Sequence, residues 1–169
     1  MALIYNNALK RMVLRTAHLL WSLYIMKIHF QKYDNNDKAY IWRTYVNAMK
    51  PHIRKIWGWD QNWQENDFNL GLKQSKTEII FVNGCVAGYL QTQQKENALF
   101  IRMLILIPEY QSKGIGTKIL DMLQPLTSGN LLKLNCFKVN KDAYRFYKKS
   151  GFDEIKTDEN FIYLQRQST

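Results

Sequence analysis

Along the chain the spacing of apolar positions changes repeatedly, and each change marks an element. Lys27 to Tyr33 reads as a short strand, closed by the turn cluster Asp34-Asn35-Asn36-Asp37, whose side chains can cap a helix. Ala39, Trp42, Val46 and Met49 then recur at three- and four-residue steps, which predicts a helix over 37–49. Pro51 is expected to interrupt that pattern before a second short helical piece through Ile56. Asp60 to Lys73 predicts a further helix with Asp60 as its cap. The β-rich runs Thr77 to Val82 and Cys85 to Thr92 flank Asn83-Gly84, a dipeptide that signals a tight hairpin. Ala98 to Ile107 is almost continuously apolar, as befits a strand in the middle of a sheet covered on both faces. Gly114 to Leu123 predicts a helix with Ile115, Ile119, Met122 and Leu123 on one side. Leu131 to Phe137 follows as a strand, Lys141 to Lys149 as a helix, and Phe152 to Lys156 and Phe161 to Leu164 as two closing strands. This order, without repeat or linker, predicts an α+β (mixed α/β) domain with a central, mostly antiparallel sheet flanked by helices.

Composition narrows the function classes. A chain of 169 residues with 46% hydrophobic and 22% charged residues, 8 Gly and 3 Pro is a single globular domain rather than a collagen or a disordered tract. Cys85 and Cys136 cannot form a disulfide framework and lack the paired spacing of a structural zinc site, so a reduced, cytoplasmic setting is expected. His18, His29 and His52 are too scattered to infer a metal site or a Ser/His/Asp arrangement, and no metal is expected. The net charge of +10 calls for an anionic partner, but 5 of those charges (Lys10, Arg11, Arg15, Lys27 and Lys32, with no acid) lie in the first 33 residues. The remainder carries 19 basic and 14 acidic residues, or +5, with no block of five or six consecutive basic residues, which argues against nucleic acid as the main partner.

Met1 to Met26 joins basic residues to the apolar stretch Thr16 to Met26. It lacks a small-residue cleavage site and is shorter than the roughly 20 residues that cross a bilayer, so no membrane association is expected. Residues 1–25 are read as an N-terminal extension (an added amphipathic helix, a targeting presequence or the product of an upstream start), and residues 26–169 as the functional domain.

The chemistry-bearing stretch is Gln111-Ser112-Lys113-Gly114-Ile115-Gly116, after Pro108-Glu109-Tyr110, where the long strand gives way to a helix. A glycine-bearing turn that opens a helix leaves backbone N–H groups pointing outward at the positive end of the helix dipole, which suits a phosphate. Lys113 adds positive charge. Neither a GxxxxGK[S/T] loop nor a dinucleotide fingerprint fits, because position 119 is Ile where the latter needs a third glycine.

Gln111 to Gly116 resembles the Q/R-x-x-G-x-G/A signature of the GNAT family of N-acetyltransferases. Downstream, Asn140-Lys141-Asp142-Ala143-Tyr144-Arg145-Phe146-Tyr147 and Gly151-Phe152 resemble that family's N…A…FY…GF segment. The resemblance spans about Met26 to Leu164 and implies a GNAT-like acyl-CoA N-acyltransferase fold with acetyl-CoA as acyl donor. It further implies that backbone groups of Ile105, Leu106 and Ile107 pair with the pantetheine arm like an added strand, that Gln111, Ser112, Lys113, Gly114, Ile115 and Gly116 hold the pyrophosphate, and that Asn140 hydrogen-bonds the donor. Tyr147, two turns beyond Asn140 on the same helix face, resembles the family's general acid. Some peptide-acetylating relatives carry a glutamate where this chain has Asn135, which leaves Glu65, Asp67, ordered water or a partly neutral substrate amine to account for the amine's proton. Cys136 reads as a buried thiol rather than an acyl-carrying nucleophile.

Four tryptophans, Trp42, Trp57, Trp59 and Trp63, fall within 22 residues, in the region that covers the acceptor in this family. Trp57 and Trp59, with Glu65 and Asp60 nearby, would suit a cationic amine through ring faces and charge. The expected activity is direct transfer of an acetyl group, in a ternary complex, to a primary amine on a small molecule or peptide, with a homodimer left open. The alternatives are a basic nucleic-acid-binding module and a non-catalytic acyl-CoA sensor on the same fold.

Overall fold

The computed structural model describes residues 26–127, 129 and 131–167, and the extension expected over residues 1–25 lies outside them. Seven strands and four helices follow one another: β1 (Ile28–Lys32), α1 (Lys38–Ile56), α2 (Gln61–Gln74), β2 (Lys76–Val82), β3 (Cys85–Lys95), β4 (Ala98–Leu106), α3 (Ile115–Leu123), β5 (Leu131–Phe137), α4 (Lys141–Lys149), β6 (Asp153–Thr157) and β7 (Phe161–Gln167). They make one sheet in the order β1-β2-β3-β4-β5-β7-β6, antiparallel except where β4 meets β5. The α+β architecture expected from the pattern is therefore the one formed.

Local chemistry explains the boundaries. Asp60 starts α2 by accepting from the Trp63 backbone N–H at 2.9 Å. Asn83 and Gly84 both hold positive φ, 51° and 82°, the geometry of the tight turn that matches strand twist. The break expected at Pro51 does not occur, and α1 runs through it to Ile56. Pro51 and Asn47 both lie on the solvent side of the helix, so water can satisfy the Asn47 carbonyl that the proline ring leaves without a donor. In α3 the buried face is Ile115, Ile119, Leu120 and Leu123, while Met122, expected inside, is exposed.

Strand alternation sorts the core into two layers. Ile80, Val82, Ala87, Leu90, Leu132, Leu134 and Cys136 pack with α3 and α4 on one face. Ile79, Phe81, Tyr89 and Phe137 pack with Ile41, Tyr45, Ile53 and Phe68 of α1 and α2 on the other. One irregularity in β4 matters for function. Gln91 pairs with Met103 but the next residue, Thr92, pairs with Ile101, so Arg102 is one residue too many on its side of the ladder, a β-bulge. Pairing with β5 covers only Leu99 to Ile101 against Leu132 to Leu134 and stops where the bulge begins. Beyond it, Met103 to Leu106 and Asn135 to Phe137 form the two walls of an open cleft.

Opposite the free part of β4, Gly88 lets two backbones approach closely: a Cβ there would lie 1.9 Å from the Ile105 carbonyl oxygen. At the far side, β7 enters between β5 and β6 and brings in Arg166. Its guanidinium donates to the Leu120 carbonyl (2.7 Å), the Ser150 carbonyl (3.1 Å), Gln124 Oε1 (2.9 Å) and Asp121 Oδ1 (2.9 Å), fastening the ends of α3 and α4 together.

Gly88→Ala is expected to destabilise the protein by about 3 kcal/mol or more, since the added methyl collides with main chain that cannot rotate away. Urea unfolding of the two proteins measures this, and a difference below about 1 kcal/mol would contradict the close approach.

Candidate active site

The cleft begins with backbone geometry. In an antiparallel pair, alternate residues turn both polar main-chain groups towards the partner strand or away from it. The Ile107 N–H donates to the Ala87 carbonyl of β3 at 2.9 Å, so Ile107 and Ile105 face β3, and Leu104 and Leu106 present their groups to the cleft. Among the stretch Ile105 to Ile107 the geometry thus singles out Leu106, and it adds Leu104, which the sequence did not mark. The side chain of Ile105 is buried under α1, while those of Leu104 and Leu106 pack towards α3 and α4.

At the end of β4 a single 3-10 turn, Pro108–Tyr110, leads into the glycine-bearing loop. Gln111 folds back, and its Nε2 donates to the Leu106 carbonyl at 2.7 Å. Ser112 and Gly114 both have positive φ, 57° and 75°. The first intrahelical bond of α3 is made by Lys118 to the Gly114 carbonyl, at 3.1 Å. The N–H groups of Ile115, Gly116 and Thr117 therefore precede the ladder and are available at the positive end of the helix. Lys113 is exposed beside them, and Ile115 anchors the turn with a buried side chain. Gly116 serves a purpose that the motif did not reveal: a Cβ there would sit 2.8 Å from the Phe146 ring, so its absence lets α4 pack against the first turn of α3.

On the other wall, Asn140 caps α4, its Oδ1 accepting from the Ala143 N–H at 3.1 Å, which leaves its Nδ2 to donate elsewhere. Tyr147 is half-buried on the α3/α4 face, its ring 4.9 Å from that of Phe146 and 5.5 Å from that of Phe152. Burial pushes its phenol above the ordinary tyrosine range, with the neighbouring Cys136 thiol acting in the same direction. Cys136 lies on the part of β5 that pairs with β7 but no longer with β4, and is itself pushed up to about 11 by burial, so it is a thiol at neutral pH and a poor nucleophile.

The acceptor-side residues separate. Trp57, at the C-terminal end of α1, is 54% exposed and stands 5.7 Å from Phe137 and 5.9 Å from Phe161, at the open end of β5. Trp59 leans on Trp42 and Tyr45 in the α1/α2 core and has Lys50 Nζ 5.0 Å from its ring centre. Glu65 is exposed and accepts from Gln61 Nε2 at 2.6 Å, and Gln61 in turn accepts from the Trp59 indole at 2.9 Å. Asp67 is engaged with Arg102 at 2.8 Å. Asn135 is exposed in the cleft wall. His52, on the buried side of α1, has no hydrogen-bond partner for its buried Nδ1 among the described residues, and burial, assisted by Lys55, holds its pKa below the usual histidine value. Phe137 and Phe161, which frame Trp57, carried no signal in the sequence beyond their strand positions.

Among the described residues no helix is long and apolar enough to cross a membrane. No curated protein matches the chain. Solved structures do. PaiA N-acetyltransferase from Thermoplasma acidophilum, in complex with coenzyme A, superimposes with a TM-score of 0.67 at 17% identity over 85% of this chain and 100% of that one. An acetyltransferase from Thermus thermophilus gives 0.68 at 14% identity, covering 85% and 99%. Arabidopsis thaliana Naa50, in complex with the bisubstrate analogue CoA-Ac-MVNAL, gives 0.57 at 15% identity, covering 83% and 99%. At these identities the likeness is one of fold. The profile of the acetyltransferase (GNAT) family matches residues 40–152, a span that holds the bulged strand, the glycine-bearing loop and the Asn140–Phe152 segment, and the chain therefore belongs to the GNAT acetyltransferase family.

Proposed function

We propose that the protein transfers an acetyl group from acetyl-CoA to a primary amine on a small molecule or peptide, directly and within a ternary complex. The observation that carries this reading is the meeting of three features at one cleft: the main-chain edge at Leu104 and Leu106 that β5 leaves uncovered, with Gln111 on the Leu106 carbonyl, the unpaired N–H groups at the start of α3, and the Tyr147 side chain beside the part of β5 that β4 does not pair with. In this reading the strand edge holds the pantetheine arm, residues 111–116 hold the pyrophosphate, and the Asn140 amide adds a donor.

The amine attacks the thioester carbonyl through its nitrogen lone pair, the carbon–sulfur bond breaks, and the Tyr147 hydroxyl gives its proton to the departing thiolate. Burial favours the protonated phenol and so keeps this acid loaded at alkaline pH. Neither carboxylate expected to take the amine's proton stands free for it: Asp67 is engaged with Arg102 and Glu65 is hydrogen-bonded at the surface to Gln61, while Asn135 is no base. Water in the cleft takes it, or the acceptor enters already neutral. Trp57, with Phe137 and Phe161, forms an aromatic wall against which such an acceptor can pack.

The decisive experiment is acetyl-CoA-dependent release of free thiol with a panel of polyamines, aminoglycosides and short peptides. Coenzyme A binding without thiol release from any amine would make the chain a sensor, and salt-dependent oligonucleotide binding without stabilisation by coenzyme A would make it a nucleic-acid module. Tyr147→Phe should lower kcat about 10- to 100-fold while acetyl-CoA affinity stays within about twofold, and wild-type turnover in that variant would remove Tyr147 from the reaction. The pH profile follows from the same assignments. An ammonium has no lone pair, so kcat/KM for the acceptor should rise with pH through the acceptor's own pKa, with no fall near pH 10 because the Tyr147 phenol remains protonated there. A decline between pH 8 and pH 10 would contradict it.

A further inference from the structure

We infer that the Arg102–Asp67 pair is a positioning device for the donor: it holds the bulge of β4 and thereby aims the main-chain groups of Leu104 and Leu106 into the cleft. This rests on the donor reading proposed above.

Parity shows why the bulge is needed. Leu99 and Ile101 pack towards α3 and α4, and a regular strand would carry Met103 to the same face and Leu104 to the opposite one. Instead Met103 lies in the α1/α2 core and Leu104 in the α3/α4 core. The surplus residue at Arg102 reverses the alternation, and the reversal applies equally to the polar groups of the main chain. Sliding β4 by one residue would restore a regular ladder, turn Leu104 and Leu106 towards β3, and take from the cleft the edge that a strand-like ligand needs.

The guanidinium holds the strand against that slip. Arg102 Nη2 donates to Asp67 Oδ2 at 2.8 Å and to the Asp67 carbonyl at 3.4 Å. Of the ion pairs among the described residues this is the one with both side chains less than a third exposed, at 23% and 31%. Arg102 Nε is buried without a partner among the described residues, so Asp67 is the anion on which the group depends. The side chain also lies across Gly71 of α2, where a Cβ would come within 2.7 Å of Nε. The helix that provides these contacts is itself fixed, by the Asp60 cap, by the Tyr45 hydroxyl donating to Gln64 at 2.5 Å, and by buried Phe68. The bulged residue is therefore tied to α2, across the α1/α2 face from the donor cleft, by one charge and one gap in side-chain volume.

The test compares two ligands. Coenzyme A needs the strand edge, whereas adenosine 3′,5′-bisphosphate has no pantetheine arm and reports the rest of the site. For Asp67→Asn, the KM for acetyl-CoA and the Kd for coenzyme A should rise about five- to tenfold, the effect of losing one or two main-chain hydrogen bonds, while kcat at saturation and the bisphosphate affinity stay within about twofold. Gly71→Ala, which displaces the guanidinium and leaves every charge in place, should give the same split, and Arg102→Lys, which keeps the charge, a smaller one. Coenzyme A binding at wild-type strength in both Asp67→Asn and Gly71→Ala would overturn the inference, as would an equal loss for the two ligands, which marks a purely structural pair. A wild-type protein that binds neither ligand would overturn the donor reading itself.

Discussion

A single surplus residue in β4 governs the rest of the site. A strand in the centre of a sheet normally satisfies its polar groups on both sides, and leaving one side unpaired in a protein interior is costly unless something else supplies partners. Here β4 keeps β3 along its whole length and gives up β5 after Ile101. The close approach at Gly88 and the Gln111 amide on the Leu106 carbonyl are local compensations for that departure. The outcome is an edge within a sheet that has strands on either side, which a terminal strand could not offer: the ligand it receives is enclosed by core on two faces.

Those two faces divide the work. The layer of α3 and α4 holds the glycine-bearing turn and Tyr147, and the layer of α1 and α2 holds Trp42 and Trp59. The split between β4 and β5 opens between them. The aromatic group of Trp57, Phe137 and Phe161 stands at the open end of β5, and Cys136 and Tyr147 lie on the α3/α4 side.

Much of this was legible before any coordinates. Asn83-Gly84 and Asp60 announce themselves because a positive φ and an unpaired helix N–H each demand particular residues. The loop at Gln111 to Gly116 and the Asn140 segment stand out for the same reason. The bulge was hidden because Ala98 to Ile107 is apolar on both faces apart from Arg102, and one charged residue is too few to show that the alternation has reversed. Pro51 misled because its cost depends on whether the freed carbonyl meets water, which the sequence does not show. The packing of the Phe146 ring against Gly116 was not legible, because the sequence does not show which side chain meets the first turn of α3. Net charge was visible and its placement was not: Lys38, Arg43, Lys50, Arg54 and Lys55, with no acid among them, all belong to α1 and account for the whole +5 excess beyond residue 33.

The bonds made by Arg166 bear on how the molecule comes into being. Helix α3, opened by the glycine-bearing loop, has its other end secured by a side chain synthesised more than forty residues later, on a strand that must slot between two already-made neighbours. A nascent chain emerging from the ribosome thus cannot finish the cleft progressively. Shortened products that end before β7 leave β5 with a raw border prone to misassociation.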